Sequence, residues 1–189
     1  MKKKSAERQF QIAVRLEIRR RQLLSCIPDI ADGKSLLYVG ANVRRMEMLN
    51  LFFGAGCEID ILEVWPKNVR GLRKWNEAAR AVRSIIHGSV LDFAREKSYD
   101  TVIWWHGPEH VPYGLLDNAL AAIERAASRL VVLACPWGDV PQDEAYGNPF
   151  ERHRFATRVE MFTDRGYAVN CSGEFDVLGS NLLAWKRIG

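Results

Sequence analysis

The chain has 189 residues, of which 48% are hydrophobic and 26% are charged, and its formal net charge is +4. This length suits one domain with a complete hydrophobic core, and the composition argues against an intrinsically disordered chain. No apolar run approaches the roughly 18 residues that cross a bilayer, and the Lys-rich start lacks the apolar stretch of a signal peptide. We therefore expect a cytoplasmic globular protein, whose oligomeric state the sequence leaves open.

Residues 1–34 form the most basic part of the chain, with nine Lys and Arg residues against four acidic ones. Alternating Ile12, Val14, Leu16 and Ile18 are compatible with a strand, but the abundance of Arg, Gln, Glu and Leu favours a helix. We predict a basic N-terminal helical segment whose charges form a solvated face. Contact of these charges with nucleic acid or with an acidic membrane surface is the less favoured alternative.

The region from residue 35 to residue 189 alternates apolar strands with amphipathic helices, without a linker or an internal repeat. Strands are predicted at residues 35–39, 58–63, 84–87, 99–105, 130–135, 167–175 and 181–186. Two strands in succession close the chain. The pattern predicts an α/β, Rossmann-like, seven-stranded and mostly parallel sheet with helices on both faces and a terminal antiparallel hairpin.

Four helices are predicted between these strands. The first covers residues from about 43 to 53, and the second begins at Pro66 with an inward face of Val69, Leu72, Ala79 and Val82. The third carries one apolar face, formed by Leu116, Leu120, Ile123 and Ala127. The fourth ends near Gly166, and its start has the capping-box residues Thr157 and Glu160.

Cysteine usage gives no sign of a disulfide or zinc framework. Cys26, Cys57, Cys135 and Cys171 are scattered, with no C-x-x-C pair and no histidine at metal-ligand spacing. This spacing favours a reduced interior, and the sequence predicts no metal site.

A nucleotide crevice is predicted where the first two strands end. Gly40 follows the first strand, and Glu63 ends the second, about 20 residues further on. A glycine there lets the backbone approach a nucleotide, and the acid can accept hydrogen bonds from ribose hydroxyls. The later glycines of the dinucleotide fingerprint are missing, since Asn42 and Arg44 or Arg45 occupy their positions.

The order of these motifs resembles that of the class I S-adenosylmethionine-dependent methyltransferases over roughly residues 35–188. Residues 99–111, Y-D-T-V-I-W-W-H-G-P-E-H-V, are similar to the segment in which the family's fourth strand runs into Glu-His-Val. The resemblance is greatest to the single-domain type that acts on small molecules. It implies S-adenosylmethionine as the cofactor and an O or N atom of a small molecule as the methyl acceptor.

The resemblance also implies roles for particular residues. Gly40 corresponds to the first family glycine, Glu63 to the ribose-binding acid, and Ser89 stands where the family usually has an aspartate that holds the adenine amino group. The full set of implied cofactor-binding residues is Tyr38, Val39, Gly40, Ala41, Asn42, Glu63, Val64, Trp65, Gly88, Ser89, Val90 and His106. The departures at Asn42, Arg44 and Ser89 imply weakened cofactor affinity or a compensating contact elsewhere.

Histidines are the candidate catalytic groups. His106, His110 or His153 could accept the proton of the methyl acceptor, because imidazole titrates near neutral pH. His106, Glu109 and His110 also spell the H-x-x-E-H motif of some zinc proteases. We do not expect that motif to bind zinc, because His106 ends a strand and Pro108 interrupts the helix that zinc ligation would need.

A long loop at residues 136–154 follows the fifth strand and therefore starts at the same edge of the sheet. It can form an acceptor pocket, a structural lid or a partner surface. The residues that could shape such a pocket are Trp137, Asp139, Gln142, Tyr146, Asn148, Glu151 and His153.

Three other functions remain open. A nucleic-acid methyltransferase is disfavoured because His-Gly-Pro-Glu at residues 106–109 replaces the Asn/Asp-Pro-Pro-aromatic motif of amino-methylating enzymes, although the basic N-terminus keeps it possible. The incomplete glycine motif permits a methyltransferase-fold protein that has lost catalysis and serves as a binding module. A nicotinamide-dependent oxidoreductase fits the glycine pattern and the last two strands less well.

Overall fold

The computed structural model describes residues 20–43, 56–171 and 181–189, together with Val14, Glu17, Ile18 and Met46. These residues contain a seven-stranded sheet of order β3-β2-β1-β4-β5-β7-β6. Its strands are β1 (Ser35–Val39), β2 (Glu58–Glu63), β3 (Ser84–His87), β4 (Tyr99–Trp105), β5 (Ala127–Cys135), β6 (Ala168–Asn170) and β7 (Leu182–Arg187). Strands β1 to β5 pair in parallel, whereas β7 is antiparallel to both β5 and β6. The predicted fold class is confirmed.

The described helices are α1, which includes residues 20–26, α2 (Pro66–Ala79), α3 (Leu116–Ala126) and α4 (Glu160–Thr163). Of the N-terminal segment, residues 20–26 are helical and a 3₁₀ turn covers Ile30–Asp32. Of the helix predicted at residues 43–53, only Val43 and Met46 are described, and Arg44 and Arg45 lie outside the described residues. Among the described residues, no helix has the length and apolar character that a bilayer crossing requires.

Both faces of the sheet are covered by buried side chains. Side chains of successive strand residues point to opposite sides, so a single strand contributes to both cores. In β1, Leu36 and Tyr38 belong to one core cluster, and Leu37 and Val39 belong to the other. The first cluster also contains Leu23, Ile27 and Ile30, which are fully buried. The described part of the basic segment therefore contributes to the same core as the sheet.

The position of β1 fixes where a ligand can bind. It pairs with β2 on one side and with β4 on the other, so the chain reverses its direction of winding at this point. Crevices outside the carboxyl ends of parallel strands at such a switch point are the usual ligand sites of open α/β sheets.

Two details of the predicted helices are wrong. Ala79 is exposed at the end of α2, where Val69 and Leu72 are the buried residues and Arg80 ends the helix with a left-handed φ of 47°. Ala127 belongs to β5, which begins three residues earlier than the predicted residue 130.

The capping box predicted at Thr157 and Glu160 does not form. Val159 is the N-cap residue of α4 and makes no side-chain cap hydrogen bond. The Thr157 hydroxyl instead donates to the Pro136 carbonyl, and the Thr157 backbone pairs with Gly138. This distant contact replaces the local hydrogen bond that the sequence pattern indicates.

The first closing strand is described only as far as residue 171. Strand β6 covers Ala168–Asn170, whereas the sequence predicts a strand at residues 167–175. Residues 172–180 lie outside the described part of the chain.

Candidate functional site

A cavity of about 300 Å³ lies outside the carboxyl ends of β1, β2 and β4. Eight of the predicted cofactor-binding residues line it: Val39, Gly40, Glu63, Val64, Gly88, Ser89, Val90 and His106. Tyr38 and Ala41 are buried in the core cluster on one face of the sheet instead. Asn42 and Trp65 are partly exposed and do not line the cavity. The structure thus brings together the strand ends that the sequence singled out.

The turn after β1 brings main-chain atoms to the cavity wall. Gly40 has a φ of +73°, a left-handed conformation that glycine adopts without strain. Its amide donates to the Leu62 carbonyl at 2.9 Å, which joins the end of β1 to β2. A Cβ at Gly40 would come no closer than 3.8 Å to another residue, so the backbone conformation, not the space, favours glycine here.

Glu63 places a carboxylate at the end of β2, where its residue is 4% exposed. Its Oε1 atom accepts a hydrogen bond from the Trp65 amide at 2.7 Å. This bond fixes the turn that leads into α2, which begins at Pro66. Glu63 can therefore organise its own turn and also present carboxylate oxygen to the cavity.

Ser89 caps the short turn after β3. Its hydroxyl oxygen accepts a hydrogen bond from the Leu91 amide at 3.2 Å, at the start of a 3₁₀ turn over Val90–Asp92. The hydroxyl hydrogen can still be donated to a ligand. A serine therefore supplies one donor where an aspartate would supply only acceptors.

Trp104 and Gly107 form a tightly packed wall that the sequence analysis missed. Trp104 is 3% exposed and lines the cavity from β4. A Cβ at Gly107 would lie 1.6 Å from Nε1 of Trp104, so only glycine fits beside the indole. The Trp-Trp pair at the end of β4 is the sequence signal for this wall, because one of two successive strand residues must face each side of the sheet.

His106 follows β4 in a left-handed conformation with φ of 47°. Such a conformation is uncommon for a residue other than glycine and costs of the order of 1–3 kcal/mol. The His106 amide donates to the Ala134 carbonyl at 2.8 Å, and its Nδ1 atom lies 3.3 Å from Oε1 of Glu109. These contacts hold the imidazole at the cavity wall.

Glu109, His110 and His153 form a compact group beside the cavity, called here the His-Glu cluster. One potential ligand atom of each residue lies within 4.8 Å of those of the other two. Nε2 of His110 lies 3.7 Å from Oε1 of Glu109, and the two imidazole rings are 5.0 Å apart. Burial lowers the pKa of His110, and the charge of Glu109 offsets this effect only in part.

All three predicted catalytic histidines therefore lie near one end of the cavity. His106 and His110 line it, while His153 contacts His110 from the long loop. Residues 108–110 form a 3₁₀ turn, so the H-x-x-E-H residues are not on one continuous α-helix.

The loop at residues 136–154 forms the remaining wall. Asn148, Phe150, Glu151 and Arg154 line the cavity. The Arg154 amide donates to the Glu109 carbonyl at 2.8 Å, which fastens the end of this loop to the turn after β4. Among the Asp, Glu, Lys and Arg residues that line the cavity, Glu63 and Glu151 outnumber Arg154, so the lining has an excess of one negative charge.

Cys135 has no features of a catalytic nucleophile. It is fully buried at the end of β5, and burial and the charge of Glu109 raise the pKa of its thiol well above the ordinary value. Only the thiolate is an effective nucleophile.

Comparison with known proteins identifies the fold. The structure resembles magnesium protoporphyrin IX methyltransferase from Synechocystis PCC 6803 with bound S-adenosylmethionine, with a TM-score of 0.60 and 14% sequence identity over 89% of this chain and 76% of that chain. It also resembles the N-terminal domain of EvdMO1 with S-adenosylhomocysteine bound, with a TM-score of 0.64 and 17% identity over 92% of this chain and 81% of that chain.

A third similar structure is mitomycin 7-O-methyltransferase MmcR, with a TM-score of 0.61 and 13% identity over 84% of this chain and 50% of that chain. No protein-family model and no curated protein matches the sequence. The chain has the fold of the class I S-adenosylmethionine-dependent methyltransferases, as its sequence motifs indicate.

Proposed function

We propose that this protein binds S-adenosylmethionine in the crevice and transfers its methyl group to an oxygen or nitrogen atom of a small molecule. The observation that carries the proposal is the cavity at the ends of β1, β2 and β4, lined by Gly40, Glu63 and Ser89. Proteins of the same fold have been crystallised with S-adenosylmethionine or S-adenosylhomocysteine bound.

The cofactor would lie across these strand ends. Backbone groups at Val39 and Gly40, which line the cavity, would bind its methionine part. Glu63 would accept hydrogen bonds from the ribose hydroxyls, which are donors matched to a carboxylate. The adenine would lie against Val64, Gly88, Ser89 and Val90, which also line the cavity.

The charge of the cavity suits this cofactor. Glu63 and Glu151 outnumber Arg154 among its charged lining residues. A negative crevice favours a ligand whose reactive centre is a positively charged sulfonium. Arg154 then remains available for an anionic group on the cofactor or the acceptor.

The methyl acceptor would occupy the end of the cavity near His106 and the long loop. A lone pair of the acceptor attacks the methyl carbon in line with the breaking C–S bond, which leaves S-adenosylhomocysteine as a neutral thioether. Placement of the two reactants supplies most of the acceleration in such a transfer. We propose that His106, His110 and His153 orient the acceptor and can take up its proton.

A small-molecule acceptor fits the cavity better than a nucleic acid. Trp104, His110 and Phe150 line a space of about 300 Å³, which is within the range of small-ligand pockets. A nucleic-acid role of the basic N-terminal segment is the weaker alternative, and it predicts tight, sequence-selective binding that resists salt. A merely solvated basic face predicts weak binding that salt abolishes through counterion release.

Calorimetric titration with S-adenosylmethionine and S-adenosylhomocysteine tests the proposal. We expect both to bind one site per chain and to raise the melting temperature, because ligands of the native state stabilise it by mass action. NAD serves as the control and should do neither. Absence of binding at millimolar cofactor would contradict the proposed function, whereas tight binding without turnover on any acceptor would favour the binding-module alternative.

A further inference from the structure

The His-Glu cluster of Glu109, His110 and His153 contains a buried charge without hydrogen-bond donors. Glu109 is 1% exposed, and neither of its carboxylate oxygens accepts a hydrogen bond from the described residues. The nearest polar groups are Nδ1 of His106 at 3.3 Å and Nε2 of His110 at 3.7 Å. Burial of a carboxylate without hydrogen-bond donors is strongly unfavourable. A cation bound to the Glu109 carboxylate would offset this cost.

The two histidines of the cluster are oriented by backbone carbonyls. Nδ1 of His110 lies 3.2 Å from the Arg152 carbonyl, and Nδ1 of His153 lies 2.5 Å from the Val140 carbonyl. A carbonyl oxygen can only accept, so in each ring Nδ1 carries the hydrogen and a neutral ring keeps its lone pair on Nε2. Metal-binding histidines are commonly held in this way.

The three side chains converge on one point. Their potential ligand atoms lie within 4.8 Å of one another, while ligand atoms around a tetrahedral zinc ion lie about 3.3 Å apart. The His110 and Glu109 atoms, at 3.7 Å, are close to that spacing already. Side-chain movements of about 1 Å would complete the site, and His153 comes from a loop that can supply them.

We propose that Glu109, His110 and His153 bind a divalent first-row transition-metal ion, for which Zn²⁺ is the probe. Two imidazole nitrogens and one carboxylate oxygen form the donor set of many zinc and non-haem iron sites. Mg²⁺ and Ca²⁺ prefer ligand sets made of oxygen alone. The site differs from the H-x-x-E-H interpretation, because His153 and not His106 is the second histidine and because Glu109 is itself a ligand. Metal binding at this cluster does not depend on the proposed methyl transfer, but an ion on Nε2 of His110 and His153 would leave His106 as the histidine that takes up the acceptor's proton.

The location of the cluster gives the ion a place at the wall of the crevice. His110 belongs to the cluster and also lines the cavity. Three protein ligands leave at least one position open on a four-coordinate ion. His106 would act as a positioning residue, since its contact with Glu109 holds the carboxylate.

The test uses the full-length, tag-free chain after treatment with EDTA. Titration with ZnCl2, without cofactor, is expected to show one saturable site per chain, and Co²⁺ is expected to give a visible absorption band at the same stoichiometry. Glu109→Gln and His153→Ala should each weaken Zn²⁺ binding by more than about 100-fold, because loss of outer-shell partners alone typically costs 10–100-fold. His87→Ala is the matched control and should retain wild-type affinity.

The Glu109→Gln variant keeps the experiment informative even if His153→Ala folds poorly. A glutamine amide removes the buried charge at almost the same volume, so its melting temperature in EDTA should equal or exceed that of the wild type. Zn²⁺ should raise the melting temperature of the wild type and leave that of Glu109→Gln unchanged. Absence of a saturable site in the wild type, or equal affinity in the wild type and both variants, would overturn the proposal.

A parallel titration with S-adenosylhomocysteine in EDTA separates this inference from the proposed function. Cofactor binding without metal supports the proposed function and leaves the metal site to the Zn²⁺ titration. Zn²⁺ binding by the wild type that both cluster variants lose supports the metal site even where the cofactor does not bind.

Discussion

Glu63 stabilises the turn after β2 and, in the proposed function, binds the ribose of the cofactor. Substitutions can separate these two roles. Its Oε1 atom accepts the Trp65 amide at 2.7 Å, and the same side chain faces the cavity. The hydrogen bond to the amide requires only an acceptor, which a glutamine also offers. Two hydroxyls of a ribose are both donors, and an ionised carboxylate has two oxygens with about four lone-pair sites that can accept them beside the Trp65 amide.

We expect Glu63→Gln and Glu63→Ala both to weaken binding of S-adenosylhomocysteine by about 1.5–3 kcal/mol, the range for hydrogen bonds to a charged group. Glu63→Ala should also lower the free energy of unfolding by about 1 kcal/mol, because it loses the bond to Trp65. Calorimetry and urea denaturation measure the two effects. Unchanged affinity in both variants would leave Glu63 as a turn residue alone.

Gly107 gives a second test at the scale of single residues. Gly107→Ala would place a methyl group 1.6 Å from the Trp104 indole, which therefore must leave its position in the cavity wall. We expect a loss of about 1–3 kcal/mol of stability, as for other overpacked sites, together with weaker cofactor binding.

Gly114→Ala is the matched control for this substitution. A Cβ at Gly114 meets no atom within 4 Å, and its φ is outside the left-handed region. The control should be neutral or slightly stabilising, since alanine restricts the unfolded chain. Equal melting temperatures of the two variants would contradict the proposed packing of Trp104 against Gly107.

Among the secondary-structure elements, β2, β3 and β4 are connected by the buried carboxylate of Asp60. Asp60 of β2 is 1% exposed and accepts hydrogen bonds from Arg83 at 3.0 and 2.6 Å and from the Tyr99 hydroxyl at 2.8 Å. Burial opposes ionisation of Asp60, but the bonds from Arg83 and Tyr99 outweigh it and lower the pKa of the carboxyl. The network thereby ties β2 to β4 and to the start of β3.

Arg83→Met should cost about 1–3 kcal/mol at pH 7, because it leaves the Asp60 carboxylate buried with fewer donors. A carboxyl group with a lowered pKa stabilises the fold above its unfolded pKa and loses that effect as the pH falls. The difference between Arg83→Met and the wild type should therefore shrink below about pH 4. Thermal melts across pH 3–7 measure it, and a difference that is constant with pH would exclude Asp60 as its source.

Most strands could be predicted accurately from the sequence, because the signals that define a strand lie within the strand and at its two ends. Strands β2, β3 and β4 have short apolar runs with clear breaks at both ends, and their predicted bounds are confirmed. The boundary of β5 was wrong because Ala127-Ser-Arg129 contains no helix-stop residue. The capping box at Thr157 was wrong because the Pro136 carbonyl, a distant group, binds the hydroxyl.

The site was predicted less completely, because part of it depends on contacts between residues that are distant in the sequence. Residues at the strand ends, such as Gly40 and Glu63, follow from topology, since the carboxyl ends of adjacent parallel strands meet. The approach of His153 to Glu109 depends on the path of the loop at residues 136–154, which hydrogen bonds to Glu109 and Val140 determine. No local pattern in the sequence encodes such a path.

At the scale of the whole molecule, the N-terminal segment and the sheet behave as one unit. Leu23, Ile27 and Ile30 are fully buried against the sheet. Full burial of a large aliphatic side chain contributes about 1.5–3 kcal/mol, which is a large share of the stability of a domain. Val14 and Ile18, by contrast, are exposed, so among the segment's described residues the fully buried large side chains lie between Leu23 and Ile30.

Asp29 connects the end of this segment to strands β5 and β7. Its carboxylate accepts hydrogen bonds from Arg187 of β7 at 2.6 and 2.7 Å and from Arg129 of β5 at 3.0 Å. The bonds from Arg187 are the main cause that lowers the pKa of Asp29 to about 2 from its ordinary value of 3.8. The three residues connect the segment to both β5 and β7.

The stabilising effect of Asp29 should therefore depend on pH in a defined direction. A lowered pKa in the folded state means that the contribution is fully present above about pH 4 and is lost as the pH falls towards 2. Because Arg187 is largely exposed, we expect Asp29→Asn to cost no more than about 1 kcal/mol at pH 7 and almost nothing at pH 2. Asp32→Asn, at a nearby exposed acid, is the control and should have little effect at either pH. Chemical denaturation at the two pH values measures the difference, and an equal loss for Asp29→Asn at both would show that the side chain acts through packing, not through its charge.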